Sequence, residues 1–408
     1  MTSPFERGGR VLLLSEIPFW RRDTGVAQRI ASLCESIASA GFELRVFYPD
    51  RIHQAEWPEA EQSCAGYTIS ALPLTAAVSR AIRRRVGGLL GKSGLGPTSL
   101  PIAFQRPWHE ERAAALHRLV RRFQPRVVVV EYLLASALLD GLSLPEGMPH
   151  MVIDTIDVLS ERDRRFRTAG LSSPLAVTPE AEAEMLNRYD VLLAIQNEEA
   201  EQLRNLCPGK RVLTVGHGHT IDPLPIRDHA TTPRLLFLGS PATHNRVALQ
   251  VLLDAVWPRV SERLPHAELL LAGGICDHLP SDLPNGVQVV GRVEAPRDAY
   301  ALADVVINPA MVGSGLKIKN VEALCHGLPL VTSHAAAEGM REGAGTAFLV
   351  AETPEALADT AIGLLESIDR RRALALEALN YARHRLSPHA AAEPLLELLR
   401  EACYRPKN

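Results

Sequence analysis

Six cysteines in 408 residues, scattered and with no C-x-x-C pair among them, leave neither a disulfide framework nor a sulfur cage for zinc. Long apolar runs are missing too. In the opening MTSPFERGGRVLLLSEIPFW the uninterrupted stretch is Val11 to Leu14, too short for the core of a signal peptide, and no later stretch approaches a membrane span. Both shortages predict a cytoplasmic protein whose membrane contact is at most peripheral. An excess of one charge is likewise lacking: 44 Lys and Arg against 47 Asp and Glu give a formal net charge of -3, which speaks against a nucleic-acid binder. Short-period repeats and low-complexity tracts are absent as well.

What remains is an ordinary globular composition, 46% hydrophobic, in a length that predicts two or three domains. Short β-branched or leucine-rich runs alternate with longer helical patterns, the signature of parallel βαβ units and of the α/β class. Strands are expected at Val11–Ser15, Glu43–Phe47, Val127–Glu131, Met151–Asp154, Val191–Ile195 and Arg211–Val215. The scheme repeats at Leu235–Leu238, Glu268–Ala272, Val287–Val290, Val305–Asn308, Leu330–Ser333 and Phe348–Val350. Between the two sets lies 216-GHGHTIDPLPIRDHATTP-233, rich in Gly, Pro and polar residues and without periodicity, which suits a linker.

The reading is therefore two doubly wound domains, 1–215 and 234–385, joined by the linker 216–233. A C-terminal helix within 386–408 is expected to pack back on the first domain. Open parallel sheets gather ligands at the carboxyl ends of their strands, so two facing domains imply a cleft lined by strand-end loops.

One such loop carries the densest chemistry: 313-GSGLKIKNVEALCHGLPLVTS-333. It follows the strand 304-DVVINPA-310, and a helical pattern starts near Leu316. Glycines at a strand-to-helix turn let the backbone approach a ligand, and free amides at a helix start favour an anion. Lys317 and Lys319 add two cations to an end of the helix that is already positive, an arrangement that calls for a compensating anion such as a diphosphate. Glu322, three residues after Lys319 on the same face, can accept two hydrogen bonds from a sugar diol. A Lys–Glu pair at this spacing also suits a solvated surface contact, and a lone G-x-G turn does not separate the two readings.

The extended match does separate them. The run G-S-G-L-K-I-K-N-V-E-A-L-C-H-G-L-P-L-V-T, followed by 337-AEGM-340, resembles the nucleotide-sugar signature of retaining GT-B glycosyltransferases of group 1, family 4. The likeness extends to 235-LLFLGS-240, 268-ELLLAGG-274, 287-VQVVGRV-293 and 299-AYALADVVINPA-310. In the first half, 18-PFWRRDTGVAQRIASLCESIASAGFELRVF-47, 153-IDTIDVLSERD-163 and 193-LAIQNEEAEQL-203 are similar to that family too. The resemblance implies two Rossmann-like domains facing across a cleft, with the nucleotide-sugar donor held by the second.

By that resemblance Gly313, Ser314 and Gly315 would contact the donor diphosphate, together with Gly239 and Asn245 on an earlier loop. Lys317 and Lys319 would neutralise it, Glu322 would hold the ribose, and Gly25 would bring a loop of the first domain against the phosphates. Two departures stand out. Ser314 occupies the place of the family's second acidic residue, and Ile156 stands where relatives with a D-T-H-D motif carry histidine.

No D-x-D triplet occurs, which predicts transfer without a metal, the leaving diphosphate being stabilised by fixed lysines and backbone donors. On the acceptor side, Asp154 and Asp157 follow a strand end. They would position or deprotonate an acceptor hydroxyl, or else cap the next helix. Glu131 and Tyr132 end another strand and are candidates of the same kind, and His217 and His219 form an isolated H-x-H in the linker.

One local charge imbalance exists: between Arg80 and Arg126 there are eleven basic residues against Glu110 and Glu111. Within it, 79-SRAIRRRVGGLLGK-92 suits an amphipathic helix on an anionic membrane, which would imply a lipid-linked or otherwise anionic glycan acceptor, and suits a solvated helical face equally. Besides a hexosyltransferase-type enzyme with no cofactor other than its donor, the sequence is compatible with a nucleotide-sugar epimerase of the same fold or with a non-catalytic binding protein.

Overall fold

A computed structural model describes residues 9–22, 24–50, 52–64, 66–71, 110–139, 149–170, 176–227, 232–311 and 315–404. The chain divides into two units. The first takes residues 1–164, 172–215 and 392–408, and the second takes 165–171 and 216–391.

The first unit is built on a parallel sheet of β1 (Arg10–Leu14), β2 (Glu43–Tyr48), β3 (Thr68–Ala71), β4 (Val127–Glu131), β5 (His150–Asp154), β6 (Val191–Ala194) and β7 (Arg211–Thr214). Their order is β3-β2-β1-β4-β5-β6-β7. Apolar residues alternate between the two faces because the side-chain period of a strand is two. Val11, Leu13, Val127, Val129 and Val152 face the helix Gly25–Ser39 and the segment Leu395–Leu399 of the last helix, Pro388–Tyr404. Leu12, Leu14, Val128, Val130 and Ile153 face the helix Glu110–Phe123 and the segment 181–207.

The second unit repeats the plan with β8 (Arg234–Leu238), β9 (Glu268–Ala272), β10 (Val287–Gly291), β11 (Val305–Asn308), β12 (Leu330–Ser333) and β13 (Leu349–Ala351), ordered β10-β9-β8-β11-β12-β13. All pairs are parallel. One face packs Leu235, Phe237, Leu269 and Ile307 against the stretch 248–264 and the helix Pro354–Leu365. The other packs Leu236, Leu270 and Val306 against the helix Ile318–Cys325 and Tyr300.

Both sheets of the α/β plan are those expected, with strand ends shifted by a residue or two. The exception is β3. T-I-S-A is only four residues long, with two β-branched residues; it lacks the longer apolar run of the other strands and sits at the sheet edge. Among the described residues 216–227 of the expected linker there is no helix or strand, and 228–231 lie outside the description. So do Arg80 to Arg106 of the basic stretch, including the expected amphipathic segment 79–92. No helix among the described residues is long and apolar enough to cross a membrane.

Candidate functional site

In each sheet the strand order reverses once, between β1 and β4 and between β8 and β11, and ligands of open α/β sheets bind outside the carboxyl ends at that reversal. In the second unit the loops at this point begin with Gly239 after β8, Gly273 after β9 and Pro309 after β11. A Cβ on Gly273 would fall 2.5 Å from the Gly239 carbonyl oxygen, so the first two loops touch backbone to backbone, which leaves no room for a side chain. Gly313 and Ser314 lie outside the described residues. Gly315 is described, with φ at +73°, a left-handed conformation that any other residue would adopt under strain.

Lys317 is the N-cap of the helix Ile318–Cys325, which begins two residues later than the sequence suggests. Its Nζ donates to the Gly315 carbonyl at 2.5 Å and so ties the loop to the helix start. Lys319 is half-buried in the first turn. Its Nζ donates to Asn245 Oδ1 at 2.8 Å and lies 4.8 Å from the Phe237 ring centroid. Asn245 can only accept there, because its Nδ2 donates to the Ser240 carbonyl at 3.1 Å and to Ser240 Oγ at 2.9 Å. Burial first, and then the charge of Lys317, push the Lys319 ammonium down to about 7 against the opposing pull of Glu322. No carboxylate among the described residues forms an ion pair with it, so an amide and a ring are its immediate partners.

Glu322 is only 4% exposed, and its Oε2 accepts from the Tyr300 hydroxyl at 2.9 Å. The loop between β11 and this helix is braced from beneath. Asn308 Nδ2 donates to Asn320 Oδ1 and Asn320 Nδ2 to the Ala336 carbonyl, both at 2.8 Å, while Ser333 Oγ donates to the Ala310 carbonyl at 2.5 Å. Lys317, Lys319, Asn245, Gly239, Gly315 and Glu322 are thus grouped at the reversal of the second sheet.

At the reversal of the first sheet the residues are arranged otherwise. Gly25 opens the helix Gly25–Ser39 behind its N-cap Thr24, whose side chain accepts from the Ala27 amide at 3.2 Å. Asp154 has no exposure, and Arg29 grips it bidentately through Nε to Oδ2 at 2.6 Å and Nη2 to Oδ1 at 2.9 Å. Glu131 is buried beside them. Burial and the charge of Asp154 raise its carboxyl well above the usual range, only partly offset by Arg29. Glu131 and Asp154 are therefore not surface groups awaiting an acceptor. The pleat explains this: they continue the face that bears Val129 and Val152, which the helix Gly25–Ser39 covers.

Asp154 does not cap the next helix either. The helix Leu159–Thr168 begins five residues on, and its Leu159 and Ser160 amides donate to the Glu182 carboxylate at 2.7 and 2.9 Å. Asp157 is half-buried and accepts from Arg162 Nη1 at 2.8 Å, and Nη1 also lies 3.3 Å from the Tyr132 hydroxyl. Tyr132 and Ile156 both have left-handed backbones, at φ +69° and +62°. A β-branched residue in that region is strained, and such strain persists only where its surroundings hold it. His217 is buried and His219 packs edge-on to His326 at 5.6 Å. Among the described residues no group of three or more His, Cys, Asp and Glu is placed to hold a metal ion.

Arg29, Phe237 and Tyr300 escaped the sequence reading. Arg29 left a trace, a guanidinium set on the stripe of Val26, Ile30, Leu33 and Ile37, where an ionised group requires a buried partner. Phe237 and Tyr300 read as ordinary core aromatics and left none.

Residues 232–367 match the family described as Glycosyl transferases group 1. No curated protein matches the chain. Among solved structures it is similar to a sucrose-phosphate synthase from Thermosynechococcus elongatus, at 16% identity and a TM-score of 0.68 over 96% of this chain and 98% of that one. It is similar to TarM of S. aureus at 9% identity and a TM-score of 0.70, over 97% of this chain and all of the other. A third is HepE of Anabaena, solved with UDP and glucose, at 13% identity and a TM-score of 0.63 over 95% and 98% of the two chains. At such identities the likeness is one of fold, while the family match falls on the unit that holds Lys319 and Glu322. The chain thus has the GT-B fold, and residues 232–367 of its second unit are similar to the group 1 glycosyl transferases.

Proposed function

We propose that the protein transfers a hexose from a nucleotide-diphosphate sugar to a hydroxyl acceptor, with retention of anomeric configuration as the family 4 resemblance implies, and without a metal. The observation that carries this reading is Lys319. Its ammonium is held between Asn245 and Phe237, beside the left-handed Gly315 and at the start of a helix, with no carboxylate among the described residues pairing it. A cation held there loses hydration and gains only the weaker pull of Glu322, with no carboxylate paired to it, and a diphosphate supplies a direct counter-charge. As the glycosidic bond breaks, charge grows on the diphosphate, so Lys317 and Lys319 stabilise the transition state more than the ground state. Gly239, Gly313, Ser314 and Gly315 would line the phosphates, and Glu322 would accept from the ribose diol.

On the acceptor side Asp157 would meet the acceptor hydroxyl, oriented by Arg162 and Tyr132, while Glu131 and Asp154 support the strand ends from within. HepE solved with UDP and glucose, and TarM solved with UDP, support a nucleotide donor. We take the acceptor to be a glycan, free or lipid-linked, reached in the cytoplasm or at the inner face of the membrane. The exposed Arg118, Arg121 and Arg122 of the helix Glu110–Phe123 support an anionic surface as that meeting place. The test is a thermal-shift screen of nucleoside diphosphates followed by turnover of the matching sugars, with and without chelator. Stabilisation by one diphosphate and chelator-resistant turnover are expected. Absence of any stabilisation, or complete loss in EDTA restored by manganese, overturns the reading.

A further inference from the structure

Below the cluster of lysines sits a hydroxyl that donor binding alone does not require. Tyr300 ends the short helix Pro296–Tyr300 and is wholly buried. Its hydroxyl lies 2.9 Å from Glu322 Oε2 and 3.0 Å from the Lys319 carbonyl, so one phenol touches both residues on which the donor reading depends. The ring is wedged against His326 at 5.3 Å, and His326 is fixed in turn by the Asp222 carbonyl at 2.8 Å. Burial and the neighbouring Glu322 raise the phenol well above its ordinary range, and burial lowers the His326 imidazole. The hydroxyl is therefore a permanent donor beside the carboxylate.

A glutamate carboxylate turns freely about its last bond, and a hydrogen bond from a rigid neighbour to one oxygen fixes the direction of the other. We propose that Tyr300 is a positioning residue: its single O–H donates to Glu322 Oε2, with the Lys319 carbonyl as a second acceptor sharing that proton, and so sets the angle at which the carboxylate meets the two hydroxyls of the donor ribose. This rests on the reading of Glu322 as the ribose-binding group. The ring alone would fill the core equally well as phenylalanine, so the hydroxyl is the informative atom.

The experiment is calorimetric titration of the full chain with UDP, GDP and ADP and with the 2′,3′-dideoxy form of each. The wild type is expected to prefer the ribose form of its nucleotide by about tenfold or more, the worth of hydrogen bonds to a charged acceptor. Tyr300→Phe is expected to shrink that preference by about three- to tenfold while leaving affinity for the dideoxy form unchanged. Adding Tyr300→Phe to Glu322→Gln is expected to change the preference no further. Equal loss for both sugar forms would show a merely structural role and sink the proposal. A wild type that binds a nucleotide without preferring ribose refutes instead the reading of Glu322, and binding of none of the three refutes the donor site itself. If the phenylalanine variant does not fold, 3,5-difluorotyrosine at 300 keeps the ring and alters only donor strength. The ribose preference must then move while dideoxy affinity stays fixed, and an unmoved preference overturns the proposal.

Discussion

The reversal between β1 and β4 and the one between β8 and β11 occupy the same place in two sheets of the same order, yet they handle charge in opposite ways. In the first, Asp154 is neutralised by Arg29 across 125 residues of sequence, and burial and the charge of Asp154 raise the Glu131 carboxyl beside them well above its usual range. In the second, Lys319 is offered an amide oxygen and a ring, and its proton is held loosely. Ionisable groups that satisfy one another are architecture, because a ligand would have to break the pair to use either partner. Those left with a partial partner are available to bind. The Arg29 pair thus removes Asp154 from the candidates, burial alone removes Glu131, whose oxygens have no hydrogen-bond partner among the described residues, and the partial partners of Lys319 strengthen its case.

The sharpest way to break the contrast is Asp154→Ala, which strands a buried guanidinium and is expected to lower stability by about 3–5 kcal/mol. Urea denaturation would measure it. A loss below one-third of that would mean the pair is not structural. Lys319→Met is expected to reverse the pattern, with turnover falling about 100- to 1,000-fold while the melting temperature is unchanged or higher, since an enclosed charge without a counter-ion is removed. Intact turnover would place the anion elsewhere.

The pH dependence sharpens the comparison next. For Lys319 the folded value, about 7, lies below the unfolded value of 10.5, so its contribution to stability is present above 10.5 and lost as pH falls towards 7. A bound diphosphate draws the proton back. Its affinity should therefore be level below pH 7 and decline by up to about tenfold per unit above it, with proton uptake visible in calorimetry in buffers of different ionisation enthalpy. Affinity flat to pH 9 would contradict this.

The smallest effect concerns Glu131, whose folded value is raised above the unfolded one of 4.5, so its contribution is present below 4.5 and lost as pH rises. At pH 7 Glu131→Gln is expected to cost less than about 1 kcal/mol or to stabilise, because the glutamine resembles the protonated acid. A loss as large as that of Asp154→Ala would show that the residue is ionised.

Twelve of the thirteen strands among the described residues were readable, because parallel strands buried on both faces are written as continuous apolar runs such as V-V-V-V and L-L-L-A. The loop of Gly315, Lys317, Lys319 and Glu322 was readable because glycine and lysine at a strand-to-helix turn have a local mechanism. Partner choice was not. That Asp154 would be taken by Arg29 and Glu322 by Tyr300 depends on which face of a strand or helix each lands on, and on elements separated by 22 to 125 residues. Spacing within one motif carries no such information.

The clasp of Glu182 on the Leu159 and Ser160 amides has one more consequence. A helix mouth stoppered by a side chain has no vacancy for a phosphate, so the start of the helix Leu159–Thr168 is closed to an anion.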